Sequence, residues 1–176
     1  IGVRLVGSEM CIRDSIRGGR ALFDIAGKRK EPIPVFAEMG SINPVVITQR
    51  ALENRGEELA STYAQSITLG TGQFCTNPGL LVAVASEELT SFTKDLGNKT
   101  AIIDAQPMLH PNILAAYDQN GSEIINENDT ALVAQYDGEL PANYAQAKVV
   151  TVSGDAFLTN SKLHQEVFGP FSMVVQ

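Results

Sequence analysis

The chain has 176 residues and a formal net charge of −7 at pH 7, with 44% hydrophobic residues. This length can enclose one domain with a sizeable core. The negative charge argues against nucleic acid or an anionic membrane surface as a partner. No apolar run approaches the roughly 20 residues of a transmembrane helix, so the sequence predicts no membrane span.

The two cysteines and two histidines limit the redox and metal chemistry that we expect. Cys11 and Cys75 are far apart in unrelated contexts, which predicts no disulfide framework and fits the reducing cytoplasm. His110 and His164 stand alone, without the spacing of a metal-ligating cluster. We therefore predict a cytoplasmic protein without a metal site.

The first fourteen residues fit neither helical nor strand periodicity, and they lack the apolar region of a signal peptide. The string LVGSEMCIRDS resembles translated adapter sequence at the ends of genes predicted from environmental reads. We interpret residues 1–14 as a sequencing or cloning artefact, which would leave Cys11 without a function.

Residues 15–30 predict a turn followed by a helix, because apolar residues recur at helical spacing and basic residues stand at the C-terminal end. The pair Glu31-Pro32 ends this helix. Residues 33–37 then predict a short buried strand, which stops at Glu38.

The rest of the chain alternates between helical and strand patterns. Ser86 is a predicted N-cap, because acidic residues follow it in the first turn of a helix that runs to about Leu96. Further helices are predicted at residues 51–69 and from about Pro111, and strands at residues 80–85, 131–135, 148–152 and 171–175. The sequence therefore predicts an α/β fold.

Cys75 lies in a run of small and turn-forming residues, TLGTGQFCTNPG at residues 68–79. A cysteine on a glycine-bracketed loop between two regular elements is held in place while its backbone stays open to approach. A nucleophilic thiolate needs this arrangement. Taken alone, however, the loop fits a small buried structural cysteine slightly better.

Three motifs in order resemble the aldehyde dehydrogenase superfamily. Glu38 lies in a Glu-x-Gly segment, Cys75 follows 37 positions later (75 − 38) in Gly-Gln-x-Cys, and residues 166–170 fit Glu-x-Phe-Gly-Pro. Each motif alone is weak, whereas the three in this order are specific. The resemblance covers residues 15–176. It implies the end of a Rossmann-like cofactor domain at residues 15–38 and most of a catalytic α/β domain at residues 39–176.

The resemblance implies oxidation of an aldehyde to an acid with reduction of NAD or NADP. The Cys75 thiolate would attack the aldehyde to give a thiohemiacetal, and loss of hydride would give a thioester. Water activated by Glu38 would then hydrolyse the thioester. The backbone N–H of Cys75 would be one oxyanion donor. The family's second donor, an asparagine far upstream of the glutamate, has no counterpart in this chain.

The resemblance also implies residues that bind the cofactor. Glu166 matches the family's carboxylate to the nicotinamide ribose, and Phe168 would lie near the nicotinamide ring. Ser15 stands where the family has a Gly-Ser turn near the cofactor phosphates, although Asp14 replaces the glycine. Arg20 belongs to an RGGR run, which is a weak signal of a phosphate cradle.

Several alternatives remain open. Without the other motifs, Glu38 fits a solvated carboxylate at a strand end, and FGP at residues 168–170 fits a turn with an aromatic plug. Within enzymes, the rival is the acylating branch, in which coenzyme A takes the acyl group and Glu38 would be unnecessary. The rival from another class is a non-catalytic structural homologue, which need not keep the thiol and both carboxylates.

The segment after Glu38, MGSINP at residues 39–44, departs from the family's common Gly-Gly-Lys. It resembles the branch that contains ketoglutaric semialdehyde dehydrogenases and NADP-linked fatty aldehyde dehydrogenases. The resemblance therefore implies 2,5-dioxopentanoate as substrate, with a fatty aldehyde as the alternative, and a homodimer or homotetramer. Because the chain stops within an apolar strand, we expect a fragment of a longer protein that is inactive alone.

Overall fold

The computed structural model describes residues 16–136 and 138–176, apart from the side chain of Arg17. The interpretation of residues 1–14 as an artefact lies outside this range. The chain divides into two compact units, of which the first ends at Ser41 and the second is Ile42–Gln176. The division at residue 38 into cofactor and catalytic domains stays a prediction.

The described part of the first unit contains one helix, α1 (Ile16–Gly27), which confirms the helix expected from the apolar spacing. Gly19 on this helix lies against the side chain of Met39, which fills the space that a Cβ would need. The segment that follows Glu38 thus packs back on α1 through a thioether side chain.

The strand predicted at residues 33–37 is wrong. These residues have no regular secondary structure, and Phe36 is 96% exposed. A strand is held by hydrogen bonds to a neighbouring strand, and no described segment pairs with these residues. An apolar run indicates that a segment is compatible with a strand, but it does not show whether a neighbouring strand is present to pair with it.

The second unit alternates helices and strands along the chain. Its elements in order are β1 (Pro44–Val46), α2 (Gln49–Thr68), a 3₁₀ turn (Leu69–Gly72), β2 (Leu80–Val82), α3 (Glu87–Ala101), β3 (Gln106–Pro107), α4 (Pro111–Ile125), β4 (Thr130–Gln135), β5 (Tyr144–Ala145), β6 (Lys148–Val152), α5 (Gly154–Thr159), a second 3₁₀ turn (Ser161–His164) and β7 (Phe171–Val175).

Five strands form one sheet in the order β1-β2-β7-β6-β4, and β3 and β5 form a small antiparallel pair. All neighbours in the large sheet are parallel except β4, which runs antiparallel to β6. Leu80 of β2 pairs with Pro44 of β1 on one side and with Met173 of β7 on the other. The three strands β1, β2 and β7 are therefore adjacent and parallel.

Two hydrophobic clusters cover the two faces of this sheet. Successive residues of β7 alternate between them, since Met173 joins the cluster of α4 and Val174 joins the cluster of α2 and α3. Parallel strands that are covered by helices on both faces are the hallmark of α/β proteins. The predicted α/β fold is confirmed.

Most element boundaries agree with the sequence pattern. Ser86 caps α3 as predicted, because its hydroxyl accepts a hydrogen bond of 3.1 Å from the N–H of Leu89. Strand β2 ends at Val82, earlier than residue 85, and α3 continues past Leu96 to Ala101. The helices expected at residues 51–69 and from about Pro111, and the strands at residues 131–135, 148–152 and 171–175, are confirmed.

Tyr117 of α4 connects the helix layer to the end of the sheet. Its side chain is 1% exposed, and its hydroxyl donates toward the carbonyl oxygens of Gln146 (2.6 Å) and Pro170 (3.2 Å). The ammonium group of Lys148 lies 4.9 Å from the centre of its ring. Burial, reinforced by the negative charge of Asp118, raises the pKa of Tyr117 well above its ordinary value.

We predict that Tyr117→Phe lowers the free energy of unfolding by about 1–2 kcal/mol, because two carbonyls lose their shared hydrogen-bond donor. Urea unfolding monitored by circular dichroism measures this change. Tyr63→Phe is the control, because the edge-to-face contact of this ring with Phe92 does not need the hydroxyl. We expect it to change the free energy of unfolding by no more than about 0.5 kcal/mol. Equal effects of the two substitutions would contradict the role of the Tyr117 hydroxyl.

Candidate active site

Cys75 lies in a turn that precedes β2. The N–H of Asn77 donates a hydrogen bond of 3.1 Å to the carbonyl of Phe74, which places Cys75 and Thr76 at the two central positions of the turn. Cys75 is a free cysteine and is exposed. The alternative of a buried structural cysteine is therefore wrong, while the catalytic role of Cys75 stays a prediction.

The chain reaches this turn through three consecutive residues in the left-handed region, Gly70, Thr71 and Gly72, with φ values of 53°, 59° and 64°. Glycine adopts this conformation readily, whereas a left-handed threonine costs roughly 1–2 kcal/mol. Thr71 is buried, and its hydroxyl donates a 3.1 Å hydrogen bond to the carbonyl of Pro107. This anchor holds the strained residue in place, which its sequence alone did not indicate.

Gln73 ties the cysteine loop, defined here as residues 70–79, to the segment that follows β3. Its side-chain oxygen accepts a hydrogen bond of 2.8 Å from the N–H of Leu109. Its amide nitrogen donates 3.1 Å to the carbonyl of Gly70. The glutamine of the Gly-Gln-x-Cys motif thus fixes the loop immediately before Cys75.

The structure brings the cysteine loop against the FGP turn, defined as residues 166–170. A Cβ on Gly72 would overlap the backbone carbonyl of Gly169, so the two backbones touch where only glycine fits. The side-chain amide of Asn77 donates 3.2 Å to the same carbonyl. The Gly-Gln-x-Cys and Glu-x-Phe-Gly-Pro motifs, which are remote in sequence, therefore lie in direct contact.

Asn43 completes this arrangement from the side of β1. It adopts a left-handed backbone conformation (φ 43°), and its side-chain amide donates to the carbonyl of Cys75 and, at 3.4 Å, to that of Asn77. The sequence analysis assigned no role to Asn43 or Asn77. Asparagine is a recognised left-handed residue, but this signal does not identify the carbonyls that its side chain contacts.

Glu166 and Phe168 are both half-buried in the FGP turn. Glu166 helps to line a cleft of about 580 Å³. The other residues that line this cleft come from the C-terminal half of α4 and the two residues after it, from the second 3₁₀ turn, and from the segment between that turn and β7. They are Asn120, Glu123, Ile124, Asn126, Glu127, Lys162, Gln165 and Val167. The charged groups of the cleft are therefore three carboxylates, of Glu123, Glu127 and Glu166, and the ammonium group of Lys162.

Glu38, the predicted general base, lies in the first unit. It is exposed, in a segment without regular secondary structure, and Gly40 follows with a φ of 94°. The pairing of Glu38 with Cys75 stays a prediction from the motifs. Ser15 lies outside the described residues, and Arg20 is exposed, with its guanidinium 5.5 Å from the ring centre of Phe23.

Two expected absences can be compared with the described residues. Within residues 16–136 and 138–176, no group of three or more His, Cys, Asp or Glu side chains is arranged to hold a metal ion. None of the helices that the structure describes is both long and apolar enough to cross a membrane. Nε2 of His164 lies 2.6 Å from the carbonyl oxygen of Phe157.

We predict that Gly72→Ala lowers the free energy of unfolding by at least about 2 kcal/mol, since it adds left-handed strain to a clash with the Gly169 carbonyl. Urea unfolding measures the loss. Gly56→Ala in α2 is the control: no atom lies within 4 Å of its added Cβ, so we expect a change within about 1 kcal/mol, toward stabilisation. A Gly72 variant as stable as the parent would contradict the close approach of the two loops.

The ion pair on the wall of the cleft should make stability depend on acid pH. Glu127 accepts hydrogen bonds from Lys162 (2.7 Å) and Asn160 (2.8 Å), and these, led by Lys162, lower the pKa of its carboxyl. Because the pKa of Glu127 is lower in the folded than in the unfolded state, its carboxylate stabilises the fold at a pH above the unfolded-state pKa. This contribution disappears as the pH falls through the folded-state pKa.

We therefore predict that Lys162→Met raises the pKa of Glu127 toward its ordinary value of 4.5. An NMR titration of the side-chain carboxyl carbons between pH 2 and 7 measures it. Lys99→Met, which removes a lysine from α3, should leave this titration unchanged. A Glu127 carboxyl that titrates alike in the Lys162 variant and the parent would contradict the ion pair.

Comparison with known proteins supports the motif assignment. Over 164 residues, 92% of the chain, the sequence is 38% identical to the α-ketoglutaric semialdehyde dehydrogenase of Acinetobacter baylyi and covers 31% of it. It is 39% identical over 167 residues to α-ketoglutaric semialdehyde dehydrogenase 2 of Azospirillum brasilense, with the same two coverages of 92% and 31%. The chain thus spans about a third of the length of these curated relatives. No family model matches it.

A solved structure of the salicylaldehyde dehydrogenase from Pseudomonas putida G7 superimposes with a TM-score of 0.67 at 19% identity. The match covers 92% of this chain and 33% of that enzyme. At such low identity the likeness carries information on the fold alone. The chain therefore has the fold of aldehyde dehydrogenases, and its sequence resembles α-ketoglutaric semialdehyde dehydrogenases, as the order and spacing of its motifs predicted.

Proposed function

We propose that the chain is the catalytic part of an NAD(P)-dependent aldehyde dehydrogenase, in which Cys75 is the nucleophile. The observation that carries the proposal is an exposed thiol on a loop that is fixed at several points. Gln73 holds the loop before Cys75, and Gly72 and Asn77 hold it against the FGP turn. The names of the curated relatives support aldehyde oxidation as the reaction class.

The first step of the proposed reaction belongs to Cys75. Its Sγ forms a bond to the aldehyde carbon, and the carbonyl π electrons move to the oxygen, which becomes an oxyanion. The backbone N–H of Cys75 is the local donor that would stabilise the oxyanion of this tetrahedral thiohemiacetal.

The carboxylate of Glu166 and the ring of Phe168 are the residues that would hold the nicotinamide end of the cofactor. Glu166 suits ribose hydroxyls, because an ionised carboxylate accepts two hydrogen bonds and this one borders a cleft of about 580 Å³. A bound nicotinamide would supply the hydride acceptor for the thiohemiacetal carbon, and Cys75 would then carry a thioester.

Glu38 completes the proposed cycle as the general base. Its carboxylate takes a proton from water, the water oxygen attacks the thioester carbonyl, and the Cys75 thiolate leaves. The acid product is released and the thiolate is regenerated. Support for Glu38 comes from its motif and from its spacing from Cys75 in the sequence.

The proposed substrate is 2,5-dioxopentanoate. Two relatives at 38% and 39% identity are α-ketoglutaric semialdehyde dehydrogenases, which favours this semialdehyde over the alternative of a fatty aldehyde. We further propose a homodimer or homotetramer in the cytoplasm for the whole protein. These properties depend on the longer protein, since the chain spans about a third of its relatives.

The test is nicotinamide reduction by the protein made from the complete reading frame, with 2,5-dioxopentanoate or a long-chain aldehyde and each cofactor in turn. We predict that Cys75→Ala lowers turnover at least about 10³-fold, because no other group forms the thioester. Glu38→Gln should slow steady turnover but keep the first burst of NAD(P)H, since hydride leaves before water is needed.

Turnover that survives Cys75→Ala would overturn the mechanism. Absence of reduction with every aldehyde would favour the non-catalytic homologue instead. Dependence of turnover on coenzyme A would favour the acylating branch. The present chain alone is expected to give no NAD(P)H.

A further inference from the structure

The side chain of Asn43 grips the turn that carries Cys75. Its amide nitrogen donates to the carbonyl of Cys75 itself and lies 3.4 Å from the carbonyl oxygen of Asn77, so one side chain spans the end of the turn. The neighbouring carbonyl of Ile42 accepts a hydrogen bond of 3.2 Å from the N–H of Gly79. The segment before β1 therefore holds the cysteine loop on the C-terminal side of Cys75.

The hydrogen bonds of Asn43 complement those that hold the loop on the N-terminal side of Cys75. Gln73 fixes the backbone before the cysteine, through Gly70 and Leu109. Asn43 fixes the peptide plane that follows it, through the Cys75 carbonyl. The peptide plane that precedes Cys75 is held by the hydrogen bond of 3.1 Å from the N–H of Asn77 to the carbonyl of Phe74. With the planes on both sides of Cys75 held, the direction of its Cα–Cβ bond and of its backbone N–H is set.

We propose that Asn43 is a positioning residue, which aims the thiol and the N–H of Cys75 at the aldehyde through the Cys75 carbonyl. The inference rests on the proposed function and deepens it. Asn43 follows Glu38 by five positions (43 − 38). One short segment of the sequence therefore carries both the proposed base and the side chain that binds the Cys75 carbonyl. Reactions of this kind depend on orientation, and a displacement of about 1 Å costs about 100-fold in rate.

The left-handed backbone of Asn43 permits a clean test. Glycine adopts a φ of 43° without strain, so Asn43→Gly removes the amide donor while keeping the backbone conformation. Asn143 offers a matched control, because it is also left-handed (φ 66°) and its side-chain amide donates 2.5 Å to the carbonyl of Met108. Asn143→Gly removes the same type of hydrogen bond from Met108, whose neighbours Pro107 and Leu109 contact Thr71 and Gln73. The backbone hydrogen bond from the N–H of Met108 to the carbonyl of Asn143 (2.8 Å) does not depend on this side chain, so it can hold the segment in the variant.

The experiment measures kcat and KM of the complete protein with 2,5-dioxopentanoate for the parent, Asn43→Gly and Asn143→Gly. We expect Asn43→Gly to lower kcat about 10- to 100-fold with KM within about 3-fold. Asn143→Gly should leave both constants within about 2-fold, although it too loses a side-chain hydrogen bond to a backbone carbonyl and some thermal stability.

A second variant and a second measurement keep the outcome decisive. Asn43→Asp keeps the left-handed preference but cannot donate, so it should lose kcat as the glycine variant does. Hydrogen exchange read by mass spectrometry should speed up in residues 73–79 of both Asn43 variants and stay unchanged there in Asn143→Gly. This readout needs no turnover.

The results separate the two proposals. An active parent with an equally active Asn43→Gly would overturn the positioning role and leave the proposed function intact. Equal losses of kcat in Asn43→Gly and Asn143→Gly would also overturn it, because a general loss of stability would then explain both. A parent without turnover would overturn the proposed function and the catalytic role of Asn43 together, while unchanged exchange in residues 73–79 would show that Asn43 does not hold the loop.

Discussion

The close approach of two backbones at Gly72 and Gly169 is the contact on which the candidate site depends. A side chain at Gly72 would occupy the position of the Gly169 carbonyl, and the ring of Tyr117 fills the space beside Gly169. Only because the two turns touch can the amide of Asn77 reach across to the FGP turn. The cysteine loop and the FGP turn, which carries the proposed cofactor carboxylate of Glu166, are thus in direct contact, and α4 packs against the FGP turn through Tyr117.

The sequence predicted the elements whose signals are local. The helices had apolar residues at helical spacing and caps such as Ser86, and β6 and β7 are buried runs of strand-forming residues. The failure at residues 33–37 has the opposite cause. A strand there needs a hydrogen-bonded neighbour, and a run of apolar residues does not reveal whether one exists.

The motifs predicted which two loops matter, but not the contacts between them. Asn43 and Cys75 are 32 positions apart, and Asn77 lies 92 positions from Gly169. A side chain's partner at such a distance depends on how the strands are ordered in the sheet. The left-handed conformation of Thr71 was equally hidden, because the Pro107 carbonyl that accepts its hydroxyl hydrogen bond lies 36 positions away, in the pair of strands β3 and β5.

The order of β1, β2 and β7 has a consequence for how this fold can diversify. Asn43, the cysteine loop and the FGP turn each precede one of these three adjacent parallel strands, so the site lies at their amino ends. In open α/β sheets ligands commonly bind beyond the carboxyl ends. The start of the connection that leaves β2 lies at the opposite end of this strand and can accept insertions during evolution, whereas a one-residue slip between these strands would shift the loops that precede them by about 3.3 Å.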